Sequence, residues 1–300
     1  MEKAMAELEF GFSLSPSVDL ALHEDLVSAA EEGGLDLVGV QDHPYVPAFV
    51  DTMSLIATML ARTDRLRFFP DVVTLPLRPP ALLAKTASSL DLLSGGRFEL
   101  GIGAGGYWDA ITTLGVDRLS PADALDALEE AVQILRALWR PGGTVGLRGK
   151  YYSLDGAQAG PAPAHPIGIW IGAQGPRSLR LTGRIAEGWA APIPAYLPYE
   201  KWANANAILD EAALAAGRDP ADVLRMSQLV GTITDTEGDA EARQGSAPIR
   251  GTAGQWARLI ARLATEQPFR SFVFWPERQE LGQVERFAGQ VVPAVRELLG

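Results

Sequence analysis

The chain has 300 residues, 47% of them hydrophobic, no cysteine, and a formal net charge of −11. That length can bury a large core, and the absence of cysteine excludes disulfides, thiolate metal sites and a cysteine nucleophile. The acidic balance argues against a nucleic-acid partner, since phosphate binding rests on clustered Lys and Arg.

No apolar run approaches the roughly 18 to 20 residues of a membrane span. The opening MEKAMAELEF lacks the apolar centre of a signal peptide. A cytoplasmic protein is expected, built as one domain over residues 1–300. Neither a membrane nor a nucleic acid is expected as a partner.

In chain order, Leu8 to Leu14 alternates as a strand does, and Phe12 within it is a candidate for the substrate pocket. Asp19 to Glu32 follows as an amphipathic helix, stopped by Gly33-Gly34. Leu35 to Val40 is a second strand with Gln41-Asp42-His43 at its end, and a loop carrying Tyr45 and Phe49 leads to a helix from Asp51 to Arg62. Leu66 to Val73 reads as one continuous third strand, and Pro79 to Leu93 as the third helix.

Ser94-Gly95-Gly96 supplies the positive φ angles that end that helix, and Phe98 to Ile102 is a short buried strand. The next helix is predicted only at Ala122 to Trp139, opened by Ser120-Pro121. Residues 140–166 are rich in Gly and Pro and read as an excursion, with a hairpin near Tyr151 to Leu154, laid over the body.

Ile167 to Gly172 is a fifth strand, followed by a helix from Pro176 to about Ala186. Gly188 to Ala191 is a sixth, very short strand, with a helix at Tyr199 to Ala216. Arg225 to Ile233 is a seventh strand, and the polar stretch Thr234 to Arg250 reads as a mobile loop. A helix at Thr252 to Thr265, an eighth strand at Phe269 to Trp275 and a closing helix at Gln279 to Leu299 complete the chain.

Strict alternation of short apolar strands with helices predicts a parallel sheet covered by helices. Eight such units closing on themselves predict an α/β fold of the (β/α)8 TIM-barrel type, with the excursion as an insertion after the fourth helix. Chemistry in such barrels sits on the loops after the strands, here those at Gln41 to His43, Asp71 to Thr74, Gly103 to Trp108, Gly172 to Gly175, Ala190 to Tyr196 and Trp275-Pro276.

Within those loops His43, beside Asp42, suits hydrogen bonding or proton exchange near neutral pH. A strand-capping histidine is the competing reading, and His23 and His165 read as structural or solvated. No His, Asp and Glu residues have metal-ligand spacing, so no metal is expected. Gly172 to Ser178 opens a helix whose free N–H groups suit a phosphate, and a plain turn is the alternative. Tyr107, Trp108, Trp189, Tyr196 and Trp275 fall near strand ends and are candidates to wall a pocket. Asp71 is an acid inside an apolar strand and needs a partner.

Gly101, Gly103 and Gly106 match the dinucleotide fingerprint, but no helix is predicted to open directly on them, which disfavours a Rossmann site.

DLVGVQDHP, LRPPALLAKTASSLDLLSGGRFELGIGAGG and IWIGAQGPRSLRLTGRIAEGW, in that order over most of the chain, resemble the luciferase-like flavin and deazaflavin oxidoreductases. The resemblance implies a TIM barrel, a homodimer, and FMN or coenzyme F420 at the strands' carboxyl ends. The Asp42-His43 pair resembles the F420-dependent branch, in which the histidine lies close to the deazaflavin. By the same resemblance, Asp71-Val72 is placed where that branch has a non-proline cis peptide behind the ring, and Gly172, Ala173, Gln174, Gly175 and Pro176 match the phosphate loop.

Thr74, Gly103, Ala104 and Gly105 join Asp42, His43, Asp71 and Val72 as candidate cofactor contacts. His43 is the candidate catalytic group, with Asp42 orienting it. One departure stands out: the sugar-phosphate dehydrogenases of the branch carry a glutamate just after the fourth strand's GxG, where this chain has Ala104-Gly105-Gly106-Tyr107. That acid is not carried over.

The leading reading is hydride transfer between F420 and a small organic substrate. An FMN-dependent monooxygenase served by a flavin reductase is the alternative, and a barrel that only binds a flavin-like ligand is the third.

Overall fold

The computed structural model describes residues 8–300, so most of the amino-terminal stretch in which no leader is expected lies outside it. β1 (Glu9–Leu14) leads to α1 (Leu20–Glu32), and β2 (Leu37–Val40) to α2 (Thr52–Leu60). β3 (Arg67–Pro70) and β4 (Val73–Thr74) lead to α3 (Pro80–Ser94). After β5 (Leu100–Gly103) come a short α4 (Trp108–Ile111) and α5 (Pro121–Leu138). β6 (Thr144–Arg148) and β7 (Ser153–Gln158) precede β8 (Ile169–Gly172) and α6 (Pro176–Ile185). β9 (Gly188–Ala190) is followed by α7 (Trp202–Ala215), and β10 (Leu224–Ile233) and β11 (Ile249–Gly251) by α8 (Ala253–Glu266). β12 (Ser271–Pro276), α9 (Leu281–Arg286) and α10 (Val292–Leu299) complete the order.

Local signals explain the helix ends. The side chains of Asp19, Asp51, Ser120 and Thr252 accept from backbone N–H groups at the starts of α1, α2, α5 and α8. α3 stops at Gly95 with φ of 70°, a conformation that costs other residues a steric clash.

The strands lie parallel in the order β3-β2-β1-β12-β10-β9-β8-β5-β4. β3 and β4 are two halves of one strand, parted at Asp71-Val72, where the peptide bond is cis. β3 pairs with β2 and β4 with β5, and a parallel bridge from Phe68 in β3 to Phe98, just before β5, closes the ring. The result is an α/β TIM barrel. The continuous third strand expected from sequence is thus two short ones, because the backbone bulges between Pro70 and Val73.

Alternation sorts the strand residues into two layers. Leu37, Phe69, Trp170, Ala190, Met226 and Val273 fill the interior of the ring, with Phe69 against Trp170 at 5.0 Å between ring centroids. Phe10, Phe12, Val38, Leu100, Ile169, Phe272 and Phe274 face outward and pack with the helices in the larger cluster.

The excursion carries an antiparallel hairpin, β6 with β7. Three further elements differ from the sequence expectation. The single turn α4 opens just beyond Gly106. β11 pairs with β10 at the end of a stretch expected to be loop throughout. The closing helix is interrupted by a π-helical turn at Phe287–Val291. Pro293 follows that turn, and its lack of an N–H removes a helical hydrogen bond there.

Among the described residues no helix is long and apolar enough to cross a membrane.

Candidate active site

At the carboxyl end of β2, Asp42 is buried and fully engaged. Its carboxylate accepts from Thr74 N–H at 2.8 Å and from Arg78 Nε and Nη2 at 3.2 and 2.7 Å. Thr74 Oγ1 donates to the Asp42 carbonyl at 2.7 Å, and Arg78 also pairs with Asp51 at 2.7 Å. Burial works against the Arg78 charge, but its hydrogen bonds and ion pairs with Asp42 and Asp51 hold the guanidinium above its ordinary pKa.

These contacts correct one expectation. Asp42 does not orient His43; it ties the loop after β2 to Thr74 and Arg78. Thr74, a candidate cofactor contact, spends its N–H and hydroxyl hydrogen on that anchor.

His43 takes its hydrogen bond from elsewhere: its Nδ1 lies 2.7 Å from the Tyr45 hydroxyl. Burial lowers the His43 pKa, and the nearby Asp42 charge partly restores it. Burial, with Tyr107 and Asp42 nearby, pushes the Tyr45 hydroxyl up to about 12. The His43 ring sits 5.5 Å from Tyr45, 6.4 Å from Phe49 and 5.8 Å from Tyr107 between centroids. Tyr107 in turn meets Tyr196 at 6.2 Å. Loops after β2, β5 and β9 thus share an aromatic cluster at the mouth, with Tyr107 and Tyr196 about half exposed.

The glycines of β5 and β8 have a packing reason. A Cβ at Gly103 would stand 2.9 Å from Val72 Cγ2, and one at Gly172 3.0 Å from the same atom. Bare backbone on both strands therefore clears room for the Val72 side chain, which the bulge places between them. Beside it Asp71 is buried, with Oδ1 accepting from Gln228 Nε2 at 2.9 Å. Asp71 Oδ2 is buried with no hydrogen-bond partner among the described residues. Burial raises the carboxyl pKa to about 7, against a smaller opposing effect of Gln228.

Around the rest of the mouth, Gly105 has φ of 97° and turns the chain, and the half-buried Ala104 packs on the outer core. Gly175 caps α6, with Pro176 in its first turn; Gly175 N–H donates to Ser178 Oγ, which donates back to Gly175 O. Gln174 is exposed, and Ala173 is buried with its carbonyl accepting from Trp189 Nε1. Arg177 pairs with Asp126 on α5.

Trp275 shares the inward register of Val273 and is half-buried at the end of β12. Trp108 is half-buried beside Gly105.

Two pocket candidates are corrected. Phe12 pairs in register with Val38 and Phe274, outside the ring, and is wholly buried. Trp189 stacks on Phe269 at 6.1 Å in the same outer layer. The reason is strand parity: their neighbours Gly11 and Ala190 hold the inward positions.

Sequence reasoning missed Arg78, Gln228 and the role of Tyr45. Gln228 carried a signal, a polar residue two positions from Met226 on the same strand face.

The family model described as luciferase-like monooxygenase matches residues 7–289. The chain is 30% identical over 312 residues to the F420-dependent glucose-6-phosphate dehydrogenase of Microbacterium testaceum, covering 97% of this chain and 90% of that one. It is 32% identical over 192 residues to an uncharacterized Mycobacterium tuberculosis protein, covering 57% of this chain and 65% of the relative's length. The fold of the coenzyme F420-dependent tetrahydromethanopterin reductase of Methanopyrus kandleri superposes with a TM-score of 0.80 at 19% identity, covering 96% of this chain and 99% of that one. With nearly its whole length matched, the chain belongs to the luciferase-like monooxygenase family.

Proposed function

We propose that the chain is an oxidoreductase using coenzyme F420 for hydride transfer to or from a small organic substrate at the mouth of the barrel. The observation that carries this reading is the bulged Asp71-Val72 joined to the end of β2, whose following loop carries His43. Asp71 N–H donates to the Val40 carbonyl at 2.7 Å, which locks the two strand ends together.

A flat heterocycle fits the residues present. Val72 offers an apolar face flanked by glycines, and Asp71 Oδ2 is a buried polar atom lacking a partner among the described residues. Gly172 to Pro176, at the amino end of α6, would receive the phosphate. Bound F420 supplies a ring carbon that gives or accepts hydride.

The chain's own residues bind and orient. His43 hydrogen-bonds ligand at the mouth, while Tyr45, Phe49, Tyr107 and Tyr196 line it with aromatic rings. The turn Ala104-Gly105-Gly106-Tyr107 after β5 carries no side-chain acid, so this reading assigns no sugar-phosphate substrate. A homodimer is part of the same reading, and light scattering checks it.

Titration of the purified protein with oxidised F420, and separately with FMN, followed by ligand fluorescence, tests the proposal. Tight F420 binding with weak FMN binding is expected. A reversed preference would replace it with the oxygen-consuming monooxygenase, and binding of neither would sink both.

A further inference from the structure

His43 has one hydrogen bond within the described protein, from Nδ1 to the Tyr45 hydroxyl at 2.7 Å, and none at Nε2. Two proton arrangements satisfy that contact: Tyr45 O–H donating to Nδ1, or Nδ1–H donating to the Tyr45 oxygen. The surroundings choose between them. The Tyr45 hydroxyl has no other acceptor among the described residues, so donating to Nδ1 is what satisfies its proton. The reverse arrangement leaves that proton without a protein acceptor in a site walled by Phe49 and Tyr107.

The charged groups nearby make no hydrogen bond to His43 or Tyr45; the Asp42 charge acts on His43 only through space, against burial. The Asp42 carboxylate is taken by Thr74 and Arg78, and Arg78 is shared with Asp51. Burial favours the uncharged imidazole.

We propose that Tyr45 is a positioning residue that fixes His43 as the neutral Nε2–H tautomer. His43 thereby presents a hydrogen-bond donor, rather than a base, to an electron-rich carbonyl-type oxygen of the bound ligand. A neutral imidazole donor stabilises negative charge on such an oxygen without losing its own proton. The ligand's identity rests on the hydride-transfer reading above, whereas the tautomer belongs to the unliganded chain and is measured without coenzyme.

The test is two-bond nitrogen–proton NMR on full-length protein labelled with ¹⁵N-histidine at pH 7.5, with the His43→Gln variant identifying the His43 signals. The wild type is expected to show protonated Nε2 and bare Nδ1. Tyr45→Phe keeps the ring packing and is expected to average the two nitrogens toward a tautomer mixture while leaving the thermal midpoint and His23 and His165 signals in place.

A wild-type Nδ1–H signal overturns the proposal, as does a Tyr45→Phe protein whose His43 keeps its tautomer. Adding oxidised F420 alone, then cyclohexenone as a carbonyl probe, assigns the accepting oxygen to coenzyme or substrate through the shift of Nε2–H. If F420 binds by fluorescence and Nε2–H moves with neither addition, the donor role fails while the F420 reading stands.

Discussion

Single side chains at the mouth carry opposite electrostatic burdens. Asp42 is buried and surrounded by donors, whereas Asp71, also buried, has one amide donor and one bare oxygen. A carboxyl so placed favours its protonated form, hence its pKa near 7 rather than the ordinary 3.8.

The consequence for stability has a definite sign. The contribution is fully present below the unfolded value of 3.8 and is lost as pH rises through the folded value of about 7. Asp71→Asn, which cannot ionise, is expected to lack this loss. Linkage places it at about 4 kcal/mol at most. Urea unfolding at pH 4 and pH 8 checks it: the variant should gain on the wild type at the higher pH only, and equal gains at both would refute a raised pKa.

Among the elements, the interrupted third strand is the one whose neighbours had to adapt. Val72 occupies space that side chains at Gly103 and Gly172 would claim. Gly103→Ala is therefore expected to destabilise by about 1–3 kcal/mol, the usual cost of overpacking. Val72→Ala should recover much of that loss, since Val72 Cγ2 is the atom met. A double-mutant cycle by thermal denaturation measures the coupling, and additive effects would contradict the packing account.

The glycine spacing was legible from the sequence, but its meaning was not. The same letters serve a dinucleotide loop elsewhere, whereas here Gly103 makes way for Val72, a Cβ at Gly101 would stand 2.1 Å from the Pro70 carbonyl oxygen, and Gly106 faces open space. Likewise Asp42 next to His43 suggested a pair, but neighbours on an extended loop project differently, and Arg78, 36 residues on, took the carboxylate.

At the scale of the whole molecule, the end of the barrel opposite the site is fastened by charge. His165, read from sequence as structural or solvated, lies between two acids, with Nδ1 2.7 Å from Asp91 and Nε2 3.3 Å from Glu99. Asp91 is fully buried on α3 and also accepts from the N–H groups of Ala164 and His165. Glu99 accepts from Gly168 N–H at 2.7 Å, and Arg67 links it to Glu9. The hydrogen bond to Glu99, with the charges of both acids, raises the His165 pKa against its partial burial.

A raised histidine pKa stabilises fully below its ordinary 6.5 and is lost as pH rises through the folded value. His165→Gln should thus narrow its stability deficit between pH 6 and pH 9, read from urea midpoints. A deficit that does not change with pH would show that folding leaves the His165 pKa unshifted.

What the sequence by itself determined was the alternation: helix caps, glycine stops and short apolar strands are local signals, and their order implies a barrel with its loops at one end. The hairpin in the excursion and the loop at Gly172 to Pro176 were legible for the same reason. Tertiary structure alone decided which face of each strand lies inward, and so removed Phe12 and Trp189 from the pocket and placed Gln228 against Asp71 across 157 residues. It alone gave Asp42 to Arg78 and His43 to Tyr45. Periodicity is a property of neighbouring residues, whereas a hydrogen-bond partner is settled by which distant side chains the closed ring brings within reach.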